Sequence, residues 1–554
     1  MSSRLSRIIR SPWATIAALF LAVGLVVYAY SVFVNMFIEF DDTLLIIDNI
    51  SVIEAGRWSS VAWAFANYDP ELYIPLTFLS FQLDAVIGGL HPFIFHLDNL
   101  AEHIVNALLI AGILQMLFRR LDIAVLLGLL FLVHPLNTEA VAWASGRKDL
   151  LSSLFALASL LAYLLYREDD RVRFLRISVG LFVLGLLAKI SVVPLPLVLL
   201  LLDYGAHGRI GIRDLWEKTW FFIAAIPFGL LALLGKDSVL ARSSTANILL
   251  LIPRSILFYL EKLILPLRLS IFYPFPENAI RLATPSIAIA IIVVAAACAA
   301  LVRYRRRAPG VVLGSCVALL FLIPSFLQYY RGVEFYIATD RYMYMPFLGV
   351  LIALASVLVL VPERRRRLMH GICFAVLVAC AALSFQRSLV WRNTGTLFSN
   401  ALETSESFLS YEKVGTWELR IGDRAKAIEA LRRSIEISPN SAAYFRLGVA
   451  AMEEGNTADA KLFMQEAIKL SPDYSDPYVN MGKMYWEEGS TSLAIENTEK
   501  GVELHPWDMM ALGNLATMYT LSGRKDDALR IIQMIRDIDP DNARVKPLLR
   551  KLGL

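Results

Sequence analysis

A chain of 554 residues that is 57% hydrophobic, only 18% charged and has a mean hydropathy of +0.57 is too apolar for an ordinary soluble protein of this length. It reads as an integral membrane protein, and its formal net charge of +4 leaves no basic footprint for a nucleic-acid partner. The four cysteines, Cys298, Cys316, Cys373 and Cys380, all lie inside apolar segments, which predicts neither a disulfide nor a thiolate metal site.

The chain begins MSSRLSRIIRSPWATIAALFLAVGLVVYAY. The basic start resembles a signal peptide, but the apolar run is too long and has no small-residue cleavage site, so a retained signal-anchor helix is expected. Apolar stretches long enough to span a bilayer follow near 13–37, 97–118, 122–143, 149–166, 172–189, 191–204, 219–235, 284–302, 311–328, 343–361 and 368–387. These predict about eleven transmembrane helices, with 191–204 the shortest. Arg4, Arg7 and Arg10, Arg119 and Arg120, Arg167 to Arg176, Arg209 to Lys218, Arg303 to Arg307 and Arg364 to Arg367 fall in every second connection. The positive-inside rule then places the N-terminus in the cytoplasm and the C-terminus outside. A bacterial inner membrane with a periplasmic C-terminal part is expected, or the endoplasmic reticulum with a luminal one.

Two outer loops are long. Residues 38–96 carry aromatics (Trp58, Trp63, Phe65, Tyr68, Tyr73) and acids, and residues 236–283 hold the amphipathic run IPRSILFYLEKLILPLRL. Both compositions suit helices lying in the membrane interface. The membrane domain is thus expected over 1–390. Across 400–554 the hydropathy collapses and a repeat appears: Gly422, Gly455, Gly489 and Gly523 recur with Ala427, Ala460, Ala494 and Ala528 and with Pro439, Pro472, Pro506 and Pro540 at steps of 33 or 34, and Tyr411, Tyr444, Tyr478 and Leu512 keep the same register. This is the pattern of four tetratricopeptide repeats, each a helix pair. Such a solenoid holds an extended polypeptide or serves as a docking scaffold.

The fold class is therefore all-α: a polytopic membrane bundle followed by an α-solenoid. Five polar clusters interrupt the bundle. Asp41 and Asp42 in EFDDTLLIIDN stand where the first span leaves the membrane, either solvated or, one of them, placed to act as a base on a membrane-embedded substrate. His96, Asn99 and His103 follow i, i+3, i+7 spacing at the entrance of the second span; a His/carboxylate face could ligate a divalent metal, or the histidines could bond to loops. HPLNTEAVAWASGRKDLL brings His134, Glu139, Arg147, Lys148 and Asp149 to the outer leaflet, where Glu139 and Arg147 as a structural ion pair is the plainer reading. Lys189, and Asp340, Arg341, Tyr342 and Tyr344 in FYIATDRYMYMP, put cations near the same surface. There they suit a lipid phosphate, or simply snorkel. No glycine-rich phosphate loop, Ser-His-Asp pattern, CxxC pair or HExxH occurs, so nucleotide-driven chemistry is not expected and no cofactor is implied beyond that metal.

The runs YIPLTFLSFQLDAVIGGLHPFIFHLDNLAEH, HPLNTEAVAWASGRKDLLSSLFALASLLAYLLY and ATDRYMYMPFLG, followed by the repeats, resemble the transmembrane and tetratricopeptide repeat-containing proteins. These belong to the C-type, polyprenyl-phosphate-sugar-dependent glycosyltransferases that include protein O-mannosyltransferases. The resemblance implies an inverting hexosyltransferase that moves a sugar, mannose or another hexose, from a polyprenyl-phosphate donor to hydroxyls of an extracytoplasmic polypeptide. It implies a catalytic base at Asp41 or Asp42, and donor contacts at Lys189 and Arg341. His96, His134, Glu139, Arg147 and Tyr342 are further substrate-contact candidates. The chain departs from the animal members in its shorter solenoid and in Ile190, where an acidic residue is expected after Lys189. An envelope oligosaccharide ligase or polymerase, and a non-enzymatic scaffold, remain the alternatives from other classes.

Overall fold

A computed structural model describes residues 12–67, 73–234, 245–327, 330–331, 334–539 and 542–553. Arg4, Arg7, Arg10, Tyr68, Pro540 and residues 236–244 of the second long loop lie outside the described residues. The chain forms two compact units, Met1–Ser405 and Glu406–Leu554.

In the first unit the expected spans other than 122–143 fall on helices, but fewer than the eleven expected are long and apolar enough to cross a membrane. Among the described residues seven helices are long and apolar enough to cross a membrane: α1 (Pro12–Val34), Pro92–Phe118, Ala144–Asp169, Ile190–His207, Pro285–Tyr304, Pro309–Phe326 and Glu363–Val390. The stretch expected as one span over 122–143 is instead Leu121–Val133 and Pro135–Ala142, bent by 52°. Pro135 has no N–H to continue the helix, and the His134 side chain accepts from Leu136 N to start the next turn. Val172–Ala188 and Pro346–Leu358 are helical but only 17 and 13 residues long. Ile212–Leu234 carries Arg213, Asp214, Glu217 and Lys218 in its first two turns, which shortens its apolar part. The first outer loop is itself helical, with Trp58–Ala66 and Pro75–Gly88 its longest pieces. In the second, Thr245–Ile264 is an amphipathic helix, and Pro274–Phe275 joins a small antiparallel sheet with Tyr330–Arg331 and Glu334–Tyr336.

Two features hold this bundle. Small residues let helices touch: a Cβ on Gly314 would meet the Ala353 nitrogen and the Gly349 carbonyl, and one on Gly349 would meet the Ala318 nitrogen. Helices Pro309–Leu322 and Pro346–Leu358 thus pack backbone to backbone, as lipid-embedded helices do when dispersion replaces the hydrophobic effect. A buried polar node then ties four elements: His103 bonds the Tyr344 hydroxyl at 2.8 Å and the Leu132 carbonyl at 3.0 Å, and Asn106 donates to Tyr344 at 3.1 Å and to the Leu150 carbonyl at 3.0 Å.

Among its described residues the second unit has eight helices in four pairs, from Phe408–Ile421 and Arg424–Ile437 through to Met509–Leu521 and Lys525–Ile538, and then Val545–Lys551. The recurring glycines have a conformational cause. Gly422, Gly455, Gly489 and Gly523 take φ of +88°, +75°, +80° and +74° at the turn inside each pair, a region open to glycine at little cost. Asp423 and Asn456 cap the second helix by accepting from Lys426 N and Asp459 N. Ala427, Ala460, Ala494 and Ala528 are fully buried, where a larger side chain would separate the paired helices.

Gly349→Ala is expected to lower the stability of the first unit by about 1–3 kcal/mol, because the neighbouring backbone cannot yield as a side chain would. The thermal midpoint in detergent measures it, and an unchanged midpoint would show that the two helices separate freely.

Candidate functional site

The site starts from one tight turn. A Cβ on Gly146 would run into the Ala140 carbonyl, so only glycine lets the short helix Thr138–Ala142 fold back and launch Arg147–Asp169. Three consecutive charges then leave this helix start about 100° apart. Lysine and arginine are disfavoured at a helix N-terminus. Each therefore needs carboxylates of its own.

Arg147 has no solvent-exposed side-chain surface. Its Nη2 donates to Asp84 at 2.8 Å and to the Phe95 carbonyl at 2.9 Å, Nη1 lies 2.6 Å from Asp98, and Nε donates to Asn99 at 2.6 Å, with Glu102 3.9 Å away. Lys148 turns the other way, onto Asp41 at 2.8 Å and over the Trp143 ring at 5.9 Å. Asp149 takes the third direction and accepts from Lys189 at 2.6 Å. Its second oxygen lies 3.9 Å from Arg341 Nε.

Arg341 completes the cluster. Its Nη1 contacts Glu139, its backbone N–H reaches the same carboxylate at 3.4 Å, and its guanidinium lies 4.9 Å from the Trp143 ring centre and 5.2 Å from that of Tyr342. Arg341 Nε, Asp149 Oδ2 and Trp143 Nε1 are buried without a hydrogen-bond partner. Lys189 approaches Tyr342 from another side, at 5.8 Å. Three cations and three carboxylates thus meet around two aromatic rings. Asp41, with 21% of its side chain exposed, and the half-buried Tyr342 are where this cluster meets the outside.

The adjacent acids differ sharply. Asp42 is fully buried, and its two oxygens accept from Ile38 N at 2.8 Å and Ser145 N at 2.9 Å. It ties the exit of α1 to the turn before Arg147. Burial pushes its carboxyl up from 3.8 to about 6, against the pull of those two N–H donors.

The other candidates separate by what they touch. Glu139 pairs with Arg341 and not with Arg147, so the ion pair expected between Glu139 and Arg147 is corrected. Arg147 is engaged instead by Asp84, Asp98, the Asn99 amide oxygen and the Phe95 carbonyl, and takes no part in the cluster around Arg341. His134 is engaged by the Leu263 carbonyl at 3.3 Å and stacks edge-on against Phe347 at 4.9 Å. His96 is buried and takes no part in these ion pairs. The shared face of His96, Asn99 and His103 does not converge on a metal: Asn99 bonds Arg147 and three backbone carbonyls, and both His103 nitrogens are engaged. Lys148, Asp149 and Trp143 were less prominent in the sequence than their roles warrant. Their signal was position, since all three lie in the same short run as Glu139 and Arg147.

A many-spanning helical bundle with a buried acid–cation cluster, carrying a separate repeat unit, defines a multi-pass membrane protein of the bundle-and-repeat class. Residues 417–475 and 485–552 each match the tetratricopeptide repeat family. The chain is similar to protein O-mannosyl-transferase TMTC4 of Homo sapiens, 34% identical over 154 residues that cover 24% of this chain and 21% of that protein. It is also similar to protein O-mannosyl-transferase TMTC3 of Homo sapiens, 40% identical over 98 residues covering 18% and 11%. These matches span about a fifth or less of the relatives' own lengths. Among solved structures, the crystal structure of MamA is 25% identical and covers 27% of this chain and 88% of that one, with a TM-score of 0.24.

Two outcomes follow from the geometry. Arg147→Gln leaves Asp84, Asp98 and Glu102 without their shared cation and is expected to cost on the order of 3–5 kcal/mol in thermal or denaturant unfolding. Lys148→Gln is expected to cost clearly less, because Asp41 still reaches water, and equal losses would remove the distinction. For Asp42, a folded-state value raised from 3.8 to about 6 means folding favours the protonated carboxyl. Its contribution is complete below about pH 4 and is lost as the pH rises through about 6. The midpoint of the wild-type protein should therefore rise relative to Asp42→Asn on acidification from about pH 7 to about pH 4, and a constant difference would contradict the shift.

Proposed function

We propose that this chain is a membrane glycosyltransferase that moves a hexose from a polyprenyl-phosphate donor to a hydroxyl of a polypeptide. The observation that carries the reading is the convergence of a partly exposed carboxylate, Asp41, with Lys148, Lys189 and Arg341 in one buried cluster. The similarity to proteins named as O-mannosyl-transferases supports the acceptor class.

Lys189 and Arg341 hold the donor phosphate. Arg341 keeps an Nε donor without a hydrogen bond, and Lys189 gives only one N–H to Asp149. The acceptor oxygen attacks the anomeric carbon from the face opposite the phosphate, and its proton passes to Asp41. The bond from the anomeric carbon to the phosphate oxygen breaks, and the lipid phosphate leaves with the electron pair, inverting the configuration. Lys148 orients Asp41 before the proton arrives. Asp42 is a positioning residue, because both of its oxygens are engaged by backbone N–H groups and a base must be free to exchange partners. The repeats, carried on the same chain, bind the acceptor polypeptide and raise its effective concentration.

Purified protein in lipid nanodiscs, given radiolabelled polyprenyl-phosphate mannose and a candidate acceptor, is expected to label the polypeptide. Asp41→Asn should reduce labelling on the order of 10²–10⁴-fold per folded molecule, with the folded fraction measured in the same sample. Full labelling by Asp41→Asn would sink the base assignment. Label trapped in a glycan instead of protein would favour the ligase or polymerase.

A further inference from the structure

Helix Arg147–Asp169 carries the acid–cation cluster at its start, and its other end lies about 30 Å along its axis. There a cavity of about 410 Å³ opens between helix ends, walled by Leu117 and Leu202 and rimmed by Arg167, Asp170, His207 and Arg213.

The buried acids at and behind the cavity wall are already neutralised. Lys218 contacts buried Asp203, Arg167 lies 3.3 Å from Asp203 and 3.1 Å from Glu217, and the Tyr163 and Tyr166 hydroxyls donate to Asp203 and Glu217, each at 2.7 Å. Oxygens of Asp203, Asp214 and Glu217 come within 4.8 Å of one another, but Arg167 and Lys218 supply the positive charge a metal ion would bring. The rim differs. Arg213 and Asp170 pair at 2.5 Å with side chains 66% and 74% exposed. Arg213 also donates from Nε to buried Glu217 at 2.8 Å and from Nη2 to the Tyr166 hydroxyl at 3.1 Å, so a ligand that opens only the exposed pair with Asp170, worth roughly 0–1 kcal/mol, meets a guanidinium that stays anchored.

Once open, the rim presents one guanidinium and one carboxylate, side by side above an apolar wall. The backbone fields agree with the side chains. Arg213 stands in the first turn of Ile212–Leu234, where a helix N-terminus favours an anion, and Asp170 caps the C-terminus of Arg147–Asp169, where a helix end favours a cation. Asp170 also holds a left-handed φ of +53°, at a position glycine would fill more easily, so its carboxylate stays at the rim despite the backbone cost.

We propose that this cavity binds a glycerophospholipid whose headgroup carries both a phosphate and a primary ammonium, as in phosphatidylethanolamine. The phosphate takes the Arg213 guanidinium in a bidentate pair, the ammonium donates to Asp170, and the glycerol end of the lipid lies along Leu117 and Leu202. A headgroup with only the negative charge leaves Asp170 unpaired. A quaternary ammonium has no N–H to give it.

The test uses the full chain, stripped of co-purified lipid and titrated separately with dioleoyl phosphatidylethanolamine, phosphatidylcholine and phosphatidylglycerol, with occupancy read by native mass spectrometry. Phosphatidylethanolamine is expected to bind about 3- to 5-fold more tightly than the other two, the most that one exposed pair supplies. The Arg213→Gln/Asp170→Asn double variant should abolish that preference, and because Arg213→Gln also takes one donor from buried Glu217, its thermal midpoint is recorded alongside to show that it folds. Equal binding of the three lipids, a preference for phosphatidylglycerol, or an unchanged preference in a folded double variant would each overturn the proposal. If the double variant fails to fold, the selectivity of the wild-type chain decides alone.

Discussion

The bundle depends on the burial of three consecutive charges, Arg147, Lys148 and Asp149. Removing an unpaired charge from water costs several kcal/mol, so each must find a counter-charge before the helix that begins with them can sit in the membrane. Because they diverge by about 100° per residue, they reach different elements. Arg147 collects helices Pro75–Gly88 and Pro92–Phe118, Lys148 collects the exit of the first span through Asp41, and Asp149 collects Lys189 and the segment of Arg341. A single helix start thereby locates several distant segments of the first unit.

Periodic features were legible from the residues, and pairings were not. The tetratricopeptide register could be read because each repeat contacts mainly its neighbours, so a position such as Gly455 or Ala460 meets the same surroundings every 33 or 34 residues. The spans were readable for a similar reason, since lipid imposes one requirement on every segment. The break at His134 and Pro135 was present in the letters but obscured by the apolar residues on both sides. Which acid meets which base depends on residues far apart in the chain, as with Glu139 and Arg341, 202 positions apart. Adjacency misleads there: Glu139 is far nearer to Arg147 in sequence. Asp41 and Asp42 show the same limit at closer range. They are neighbours with the same side chain, yet one meets a lysine at the edge of the site while the other is enclosed by two backbone amides.

The two units use different means of cohesion. The repeat unit is held by local helix pairs, capped by Asp423 and Asn456 and joined through fully buried alanines. The first unit relies on long-range contacts in which polar groups are as important as apolar ones, such as the His103, Asn106 and Tyr344 node. In hydrocarbon such groups gain from meeting one another because no water competes. Substitutions in the repeats should therefore act locally, whereas loss of one charge near Gly146 is felt by several distant segments.

Trp143 and Trp391 stack with ring centres 5.7 Å apart and an interplanar angle of 30°, both fully buried, with the Arg341 guanidinium lying 4.9 Å from the Trp143 ring. Two indoles held this closely couple electronically, and a cation above one of them perturbs its excited state. The protein consequently contains its own optical reporter: near-ultraviolet dichroism and tryptophan emission should change whenever Arg341 shifts its partners, with no label introduced.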